Sequence, residues 1–172
     1  MRQTRAKDPP ADEPARTQSG RTENRMSGNQ SHEGLVVVRG AADGFVQEVI
    51  AGAHQLRCDE PTSTGGTDTG PTPYDLLLAA LGACTSMTLA MYARRQKWPL
   101  EHVTVRLRHS REYAQDSARC ETQDAKLTVI DRDIALDGSL DEDQRARLLA
   151  IANRCPVHLT LSARIEIRTK LQ

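Results

Sequence analysis

The order of apolar and polar positions predicts a small sheet at the front of the patterned sequence. Glycine-containing turns at 42–44 and 52–53 separate short runs of β-branched and alternating residues. This arrangement is typical of an antiparallel meander. We therefore expect three strands, at residues 35–38, 45–50 and 54–57. A Gly-, Thr- and Pro-rich stretch at 61–73 follows and predicts a long loop, unusual for a connector without a function.

After this loop the pattern becomes helical. Pro73 suits the first turn of a helix, residues 76–96 contain only Gly82 as a breaker, and Trp98-Pro99 ends the segment. The predicted helix is apolar on every face, so it must be enclosed on all sides. Because one small domain encloses such a helix with difficulty, we expect it to pack against its own copy in a homodimer. The alternative is a monomer wrapped around a central helix.

The second half of the chain predicts two further strands, an amphipathic helix, a short helix opened by Pro156 and a last strand. Their expected positions are 103–109, 126–135, 140–153, 157–161 and 163–169. Because strands and helices are grouped and do not strictly alternate, the fold class predicted is α+β with antiparallel sheets.

The first 33 residues differ in composition from the rest of the chain. Met1–Glu33 has hardly any large apolar side chain, so it cannot bury enough surface to offset chain entropy. We expect a disordered extension at 1–33, with Met26 as an alternative start, and a single domain at 34–172. A transit peptide is the competing interpretation, although the acidic residues of the segment argue against it.

Charge and composition narrow the classes of function. The formal net charge is zero and aromatic residues make up 3%, so a nucleic-acid-binding surface is not predicted. The uncharged run at 76–93 just reaches membrane-spanning length, but Gly82 and three hydroxyl residues dilute it, so no membrane span is expected. No CxxC or HExxH spacing is present, so a zinc site is not predicted. Without an export signal, we expect a reducing, cytoplasmic location.

Two of the four cysteines have sequence contexts relevant to chemistry. Cys84 lies inside the apolar helix, where a buried structural thiol is the commoner role. A reactive Cys84 would need a nearby cation to lower its pKa. Cys155 directly precedes Pro156, so it can occupy a helix N-cap where N–H groups stabilise a thiolate, or it can be a plain cap residue. Cys58 and Cys120 have no such context.

A two-thiol cycle has a definite list of requirements. One thiolate attacks a peroxide and becomes a sulfenic acid, the second thiol condenses with it to a disulfide, and a cellular dithiol reduces that bond. The attacking thiol needs a cation, and the cation needs a carboxylate to hold it. The candidate cations are Arg39, Arg57 and Arg106, and the candidate carboxylates are Asp59, Glu60 and Asp75. Spacing along the chain does not pair them.

Two stretches of the sequence resemble the OsmC/Ohr family of osmotically inducible and organic hydroperoxide resistance proteins. They are GGTDTGPTPYDLLLAALGACT at 65–85 and ANRCPVH at 152–158. The likeness runs from about residue 35 to 170 and is closest to the OsmC-like branch. It implies an intertwined homodimer with two long helices between sheets and active sites at the subunit interface. It also implies reduction of organic hydroperoxides or hydrogen peroxide without a cofactor, with Cys84 attacking and Cys155 resolving.

Two positions differ from the family pattern. Family peroxidases have a Glu directly after the helix-opening Pro, where this chain has Tyr74 and then Asp75. On a regular helix, Asp75 and Cys84 point in opposite directions. The family's essential Arg lies near the first hairpin, where Arg39 is the nearest counterpart. These differences motivate two alternatives: a non-enzymatic protein that binds an apolar ligand, and a redox sensor that uses the same disulfide.

Overall fold

The computed structural model describes residues 34–113 and 126–171. These residues form five strands and three helices in two antiparallel sheets. The strands are β1 (Val36–Gly40), β2 (Gln47–Ala51), β3 (His54–Cys58), β4 (Leu100–Tyr113) and β5 (Lys126–Gly138). The helices are α1 (Pro73–Gln96), α2 (Glu142–Ala152) and α3 (Pro156–Ser162). The predicted α+β class with antiparallel sheets is confirmed.

The first sheet is the predicted meander. β1 pairs with β2 and β2 with β3, both antiparallel. A tight turn at Gly52, whose φ is 61°, joins the second pair, and glycine adopts this left-handed conformation without steric cost. Cross-strand register aligns Arg39 with Glu48 and Glu48 with Arg57, so three charged residues form one row across the sheet.

Helix α1 begins with a complete capping box. Thr72 accepts a hydrogen bond from the Asp75 N–H, and the Asp75 carboxylate accepts from the Thr72 N–H and hydroxyl. Arg94 and Arg95 in the last turn complement the helix dipole, and Lys97 ends the helix with a φ of 57°. By length and composition α1 could cross a membrane, with a mean hydropathy of 1.7, but the core helix of a soluble protein meets the same criterion.

The core lies where α1 meets α2 and the base of the second sheet. β4 and β5 form a long antiparallel pair, and α1 packs on β4, α2 and α3. Gly82 lets α1 approach β4 closely: a Cβ there would lie 2.9 Å from a methyl group of Leu107, so the Leu107 side chain would have to shift. The buried cluster comprises Leu89, Ala93, Leu140, Leu148, Ile151 and Ala152.

One prediction about packing was wrong for the chain as described. The predicted strand at 163–169 is absent: the segment follows α3 without a strand partner, and Ile167 is 84% exposed. A strand needs a ladder of hydrogen bonds from a neighbour, which alternation alone does not supply.

Within the described residues of one chain, helix α1 is not enclosed on all sides, and its enclosure by a second copy stays a prediction. Its buried stripe is Leu81, Thr85, Leu89 and Ala93, whereas Met87 is 70% exposed. An exposed apolar stripe runs along another face at spacings of three and four residues: Leu77, Ala80, Cys84, Met87 and Met91. Only Cys84 in it is half-buried.

Candidate active site

The fold brings Cys84 and Cys155 into contact. Cys84 lies in α1, and Cys155 is the residue at which α3 begins, so the packing of α3 on α1 joins them. The two thiols lie close enough for each to shift the pKa of the other. Both are free thiols, Cys155 fully buried and Cys84 half-buried. A small oxidant therefore reaches Cys84 more easily than Cys155.

The surroundings of Cys155 favour its thiolate form. Its sulfur makes no regular side-chain cap hydrogen bond, but the N–H groups at the start of α3 lie close to it. Burial opposes ionisation, whereas the neighbouring thiol of Cys84, the N–H groups of His158 and Val157 and the hydroxyl of Thr85 favour it. These polar neighbours outweigh burial, so the pKa of Cys155 lies below its ordinary value.

The surroundings of Cys84 have the opposite effect. Burial raises the pKa of its thiol, and the hydrogen bond and negative charge of Cys155 raise it further, against weaker contributions from Val157 and Thr88. The Thr88 hydroxyl gives its proton to the Cys84 carbonyl at 2.7 Å, so it has none left for the sulfur. The two shifts thus have opposite directions: the pKa of Cys84 is raised and that of Cys155 is lowered.

One guanidinium reaches this pair indirectly. Arg132 of β5 donates through Nη1 to the Thr85 hydroxyl at 3.1 Å and to the Ala152 carbonyl at 3.3 Å. Its Nη2 donates to Asn153 Oδ1 at 2.8 Å. Sequence reasoning missed Arg132 and Thr85. No local signal in the sequence distinguishes Arg132 from the other arginines on alternating strands. Its contact residue Asn153, however, lies in the second motif, near Cys155.

The predicted cations lie elsewhere in the described chain. Arg39 and Arg57 line a groove of about 680 Å³ on the first sheet, together with Gln47 and Leu56. Arg106 is exposed on β4. No arginine is among the groups that shift the pKa of Cys84.

The carboxylate of Asp75 is engaged in the capping box at the start of α1. Hydrogen bonds from Thr72 lower the pKa of the Asp75 carboxyl group, and burial raises it by a smaller amount. The electrostatic interaction with His109 lowers this pKa further. It lines a different groove from the thiol pair, one bounded by Leu78 and Gly82. His109 in turn stacks on Tyr74 with ring centroids 4.5 Å apart.

Asp59 organises the long loop before α1. Its buried carboxylate accepts hydrogen bonds from the N–H groups and hydroxyls of Thr67 and Thr69, and from the Glu60 N–H. The hydroxyl of Thr67 contributes most to holding the pKa of Asp59 far below its ordinary value. Gly66 packs directly on the Glu60 carbonyl, where a Cβ would not fit.

The remaining two cysteines are Cys58 and Cys120. Cys58 is buried at the end of β3, where burial and then the nearby acids Glu60, Asp59 and Asp75 raise the pKa of its thiol. Cys120 lies outside the described residues. Among residues 34–113 and 126–171, no cluster of three or more His, Cys, Asp or Glu side chains is placed to hold a metal.

Comparison with known structures identifies the fold. An OsmC-like protein from Mycoplasma pneumoniae is 19% identical with a TM-score of 0.59, covering 74% of this chain and 85% of that one. An organic hydroperoxide resistance protein OsmC from Legionella pneumophila is 22% identical with a TM-score of 0.54, covering 74% and 87%. The organic hydroperoxide resistance protein OhrB of Bacillus subtilis is 18% identical with a TM-score of 0.51, covering 73% and 87%. At these identities the likeness establishes the fold alone.

Searching the curated proteins gave no significant match. A family model described as OsmC-like protein matches residues 66–170, which include α1, both thiols of the pair and Arg132. Because this match spans well over half of the sequence, the chain belongs to the OsmC-like protein family.

Proposed function

We propose that this protein is a thiol-dependent peroxidase that reduces organic hydroperoxides or hydrogen peroxide through Cys84 and Cys155. The observation that carries the proposal is the proximity of two free thiols, one half-buried and one fully buried, each of which shifts the pKa of the other. Family membership supports it, as do the names of the Legionella and Bacillus neighbours. No metal or organic cofactor is needed for this chemistry.

The cycle starts with a pair of thiols that has lost one proton. The proton on Cys84 passes to the neighbouring Cys155, and the Cys84 thiolate attacks the outer peroxide oxygen. The O–O bond breaks, Cys84 becomes a sulfenic acid, and the leaving alkoxide takes the proton from Cys155 to give an alcohol. Cys155, now a thiolate, attacks the Cys84 sulfur and displaces hydroxide, which forms the disulfide. A cellular dithiol then reduces the disulfide and is itself oxidised.

Cys84 is the attacking thiol because of access. Cys155 ionises more readily, but it is fully buried, whereas Cys84 lies on the border of the exposed apolar stripe of α1. A second copy of the chain on this stripe would complete the site, and its first sheet carries Arg39 as the cation that Cys84 lacks within one chain. We therefore include an intertwined homodimer, with Arg39 acting across the interface, and a cytoplasmic location in the proposal. Asp75 supports the site only as the cap of α1.

Substitution of each cysteine tests the proposal. We expect Cys84→Ser to abolish consumption of cumene hydroperoxide and hydrogen peroxide. We expect Cys155→Ser to permit a single turnover and then over-oxidation of Cys84 to sulfinic acid, because no thiol resolves the sulfenic acid. Peroxide consumption with a dithiol reductant and intact-protein mass spectrometry measure these outcomes.

Cys58→Ser is the matched control, since Cys58 is buried away from the pair. We expect it to retain turnover. If the Cys84→Ser protein consumed peroxide at the rate of the unsubstituted protein, the proposal would be wrong.

The raised pKa of Cys84 favours a redox sensor as the second candidate. A thiol that ionises reluctantly reacts slowly, and sensing tolerates slow cycling where detoxification does not. The rate separates the two: a sensor forms the Cys84–Cys155 disulfide with peroxide but does not sustain turnover with excess dithiol.

A further inference from the structure

Two arginines tie helix α2 to strand β5, one at each end of the helix. Near the end of α2, Arg132 of β5 donates through Nη1 to the Ala152 carbonyl at 3.3 Å and through Nη2 to Asn153 Oδ1 at 2.8 Å. Near the start of α2, Arg145 donates to three backbone carbonyls, those of Leu136, Gly138 and Leu140. Both guanidinium groups thus hold α2 on β5, and Arg132 also bonds to α1.

The bond from Arg132 to α1 falls on the residue next to Cys84. Nη1 of Arg132 donates to the hydroxyl of Thr85 at 3.1 Å, and Thr85 is fully buried. Thr85 follows Cys84 directly in the chain, so their Cα atoms are about 3.8 Å apart. A bond that fixes Thr85 therefore also fixes the backbone of Cys84.

The bond from Arg132 to Ala152 falls on the main chain that carries Cys155. The Ala152 carbonyl also accepts a hydrogen bond from the Cys155 N–H, at 3.3 Å, in the turn between α2 and α3. A carbonyl oxygen has two lone pairs and can accept both bonds. One oxygen atom thus connects the guanidinium to the backbone of Cys155, and Asn153 holds the same turn through its side chain.

The hydrogen bonds of one planar group thus link the backbones of the two cysteines. A guanidinium presents its donors in a rigid plane, so bonds to both sides fix the separation of the two segments as well as their contact. A disulfide forms without backbone movement only when the two Cα atoms lie within about 7 Å of each other. The separation that Arg132 fixes is therefore the one on which closure of the disulfide depends.

We propose that Arg132 is a positioning residue that holds the α2–α3 turn against α1 at the separation that the Cys84–Cys155 disulfide requires. Closure forms the S–S bond, breaks the S–O bond of the sulfenic acid and releases water. After closure the S–S bond itself holds the two segments. Before closure the bonds of Arg132 hold them, which raises the effective concentration of one sulfur at the other. The inference rests on the proposed function for its use in the cycle, but not for its measurement.

The test is the midpoint potential of the disulfide. A protein with Cys58→Ser and Cys120→Ser, which leaves only the pair, is equilibrated with known ratios of oxidised and reduced glutathione. Each disulfide formed converts one oxidised glutathione to two reduced molecules, and mass spectrometry after alkylation gives the disulfide fraction. We expect Arg132→Met to lower the effective concentration of the pair by about tenfold, which makes the potential about 30 mV less negative. The reason is that the dithiol gains freedom that the disulfide form lacks.

The sign of the change separates positioning from electrostatics. A nearby positive charge favours thiolates, so loss of the charge alone disfavours the dithiol state and makes the potential more negative. Arg132→Lys keeps the charge but lacks the planar fork, and we expect most of the rise in potential to remain. A more negative potential in Arg132→Met, or full restoration by Arg132→Lys, would overturn the inference.

Arg145→Met is the matched control, because it removes a guanidinium that bonds to carbonyls between the same strand and helix. We expect it to lower the midpoint of thermal unfolding, as Arg132→Met does, but to leave the potential unchanged. An equal rise in both variants would contradict the special role of Arg132. Circular dichroism shows whether each variant is folded. If Arg132→Met is not, Asn153→Ala decides: a smaller rise supports the inference, and an unchanged potential overturns it.

The consequence for the cycle is measured with cumene hydroperoxide. We expect Arg132→Met to slow closure of the disulfide by about tenfold and to increase the sulfinic fraction of Cys84, seen by mass spectrometry. If no variant consumes peroxide while the potential shifts as expected, the proposed peroxidase function fails and the positioning role stands. If turnover is normal and the potential of folded Arg132→Met is unchanged, the positioning role fails and the function stands.

Discussion

At the residue scale, the two cysteines divide between them the properties that a single catalytic thiol usually combines. Cys155 has the hydrogen-bond donors, and Cys84 has the access. Sharing one proton lets each act in turn, because the proton that leaves Cys84 is returned to the alkoxide by Cys155. The pair thus has to be considered as one titrating unit with pKa values that belong to both sulfurs.

The sharing of one proton between the two thiols predicts how peroxide consumption depends on pH. The pKa of Cys155 is lowered from its ordinary value of 9.0, so the pair loses its first proton below that pH. We expect the second-order rate of peroxide reduction to rise with pH through this first ionisation, then level off. Initial rates across the pH range measure it. A rate that rises only above the ordinary cysteine pKa would show that the Cys155 thiolate takes no part.

Asp59 carries a prediction about stability at the same scale. Its folded-state pKa is depressed, so its carboxylate stabilises the protein above its unfolded pKa of about 4, and this contribution is lost as pH falls through the folded value. We expect Asp59→Asn to lower the midpoint of thermal unfolding at neutral pH. The difference from the unsubstituted protein should shrink steadily below about pH 4.

Asp68→Asn is the matched control in the same loop. Asp68 is exposed, has a left-handed φ of 55° that asparagine tolerates, and its side chain makes no hydrogen bond to the described residues. We expect it to be neutral at every pH. Equal effects of the two substitutions would refute the role given to Asp59.

At the scale of elements, α1 has two faces with different tasks. One stripe is buried against β4, α2 and α3, and it includes both Leu89 of the core and Thr85, which accepts a hydrogen bond from Arg132. The exposed apolar stripe includes Cys84. The reactive thiol therefore lies where the buried and the exposed faces of the helix meet, which combines a fixed backbone with access for a substrate.

The buried stripe sets the stability of the domain. Leu89 is fully buried in the core, so Leu89→Ala leaves a cavity and should cost roughly 2–5 kcal/mol of unfolding free energy. Urea unfolding at one protein concentration measures it. Leu149→Ala is the control, since Leu149 is 59% exposed on α2 and its loss should cost less than about 1 kcal/mol. Similar losses of unfolding free energy in the two variants would contradict the assignment of Leu89 to the core.

At the scale of the molecule, several apolar surfaces are not covered by the described residues of one chain. They are the exposed apolar stripe, the valines of β1 and the alternating segment at 163–171. A spacing of three and four residues along a helix is the pattern by which two helices pack side by side. One second copy of the chain could cover all three surfaces, and its segment 163–171 could find there the strand partner that it lacks.

Self-association tests this reasoning. We expect the protein to be a dimer at micromolar concentration and Met87→Lys to shift it to monomer, because a charge in the stripe would be buried without a partner. Light scattering after gel filtration measures the mass. Ser139→Lys adds the same charge at an exposed turn and should leave the dimer intact. A monomeric unsubstituted protein would remove the homodimer, and with it Arg39 as the cation of Cys84.

The sequence by itself determined the elements of this protein, because strand alternation, glycine turns and helix caps act between near neighbours in the chain. The structure agrees closely with the sequence prediction for the three strands of the meander, the start of α1 at Pro73, and α2. The strand at 163–169 did not, since a strand depends on a partner that alternation does not provide.

Only the tertiary structure decided which side chains meet. It joined Cys84 to Cys155, gave Asp75 to the cap of α1 and Asp59 to the loop, and placed Arg132 behind Thr85. These contacts bridge tens of residues along the chain. Periodicity predicts only the face on which a side chain lies, whereas hydrogen bonds and charges act over a few ångströms, so their partners follow from how the elements pack.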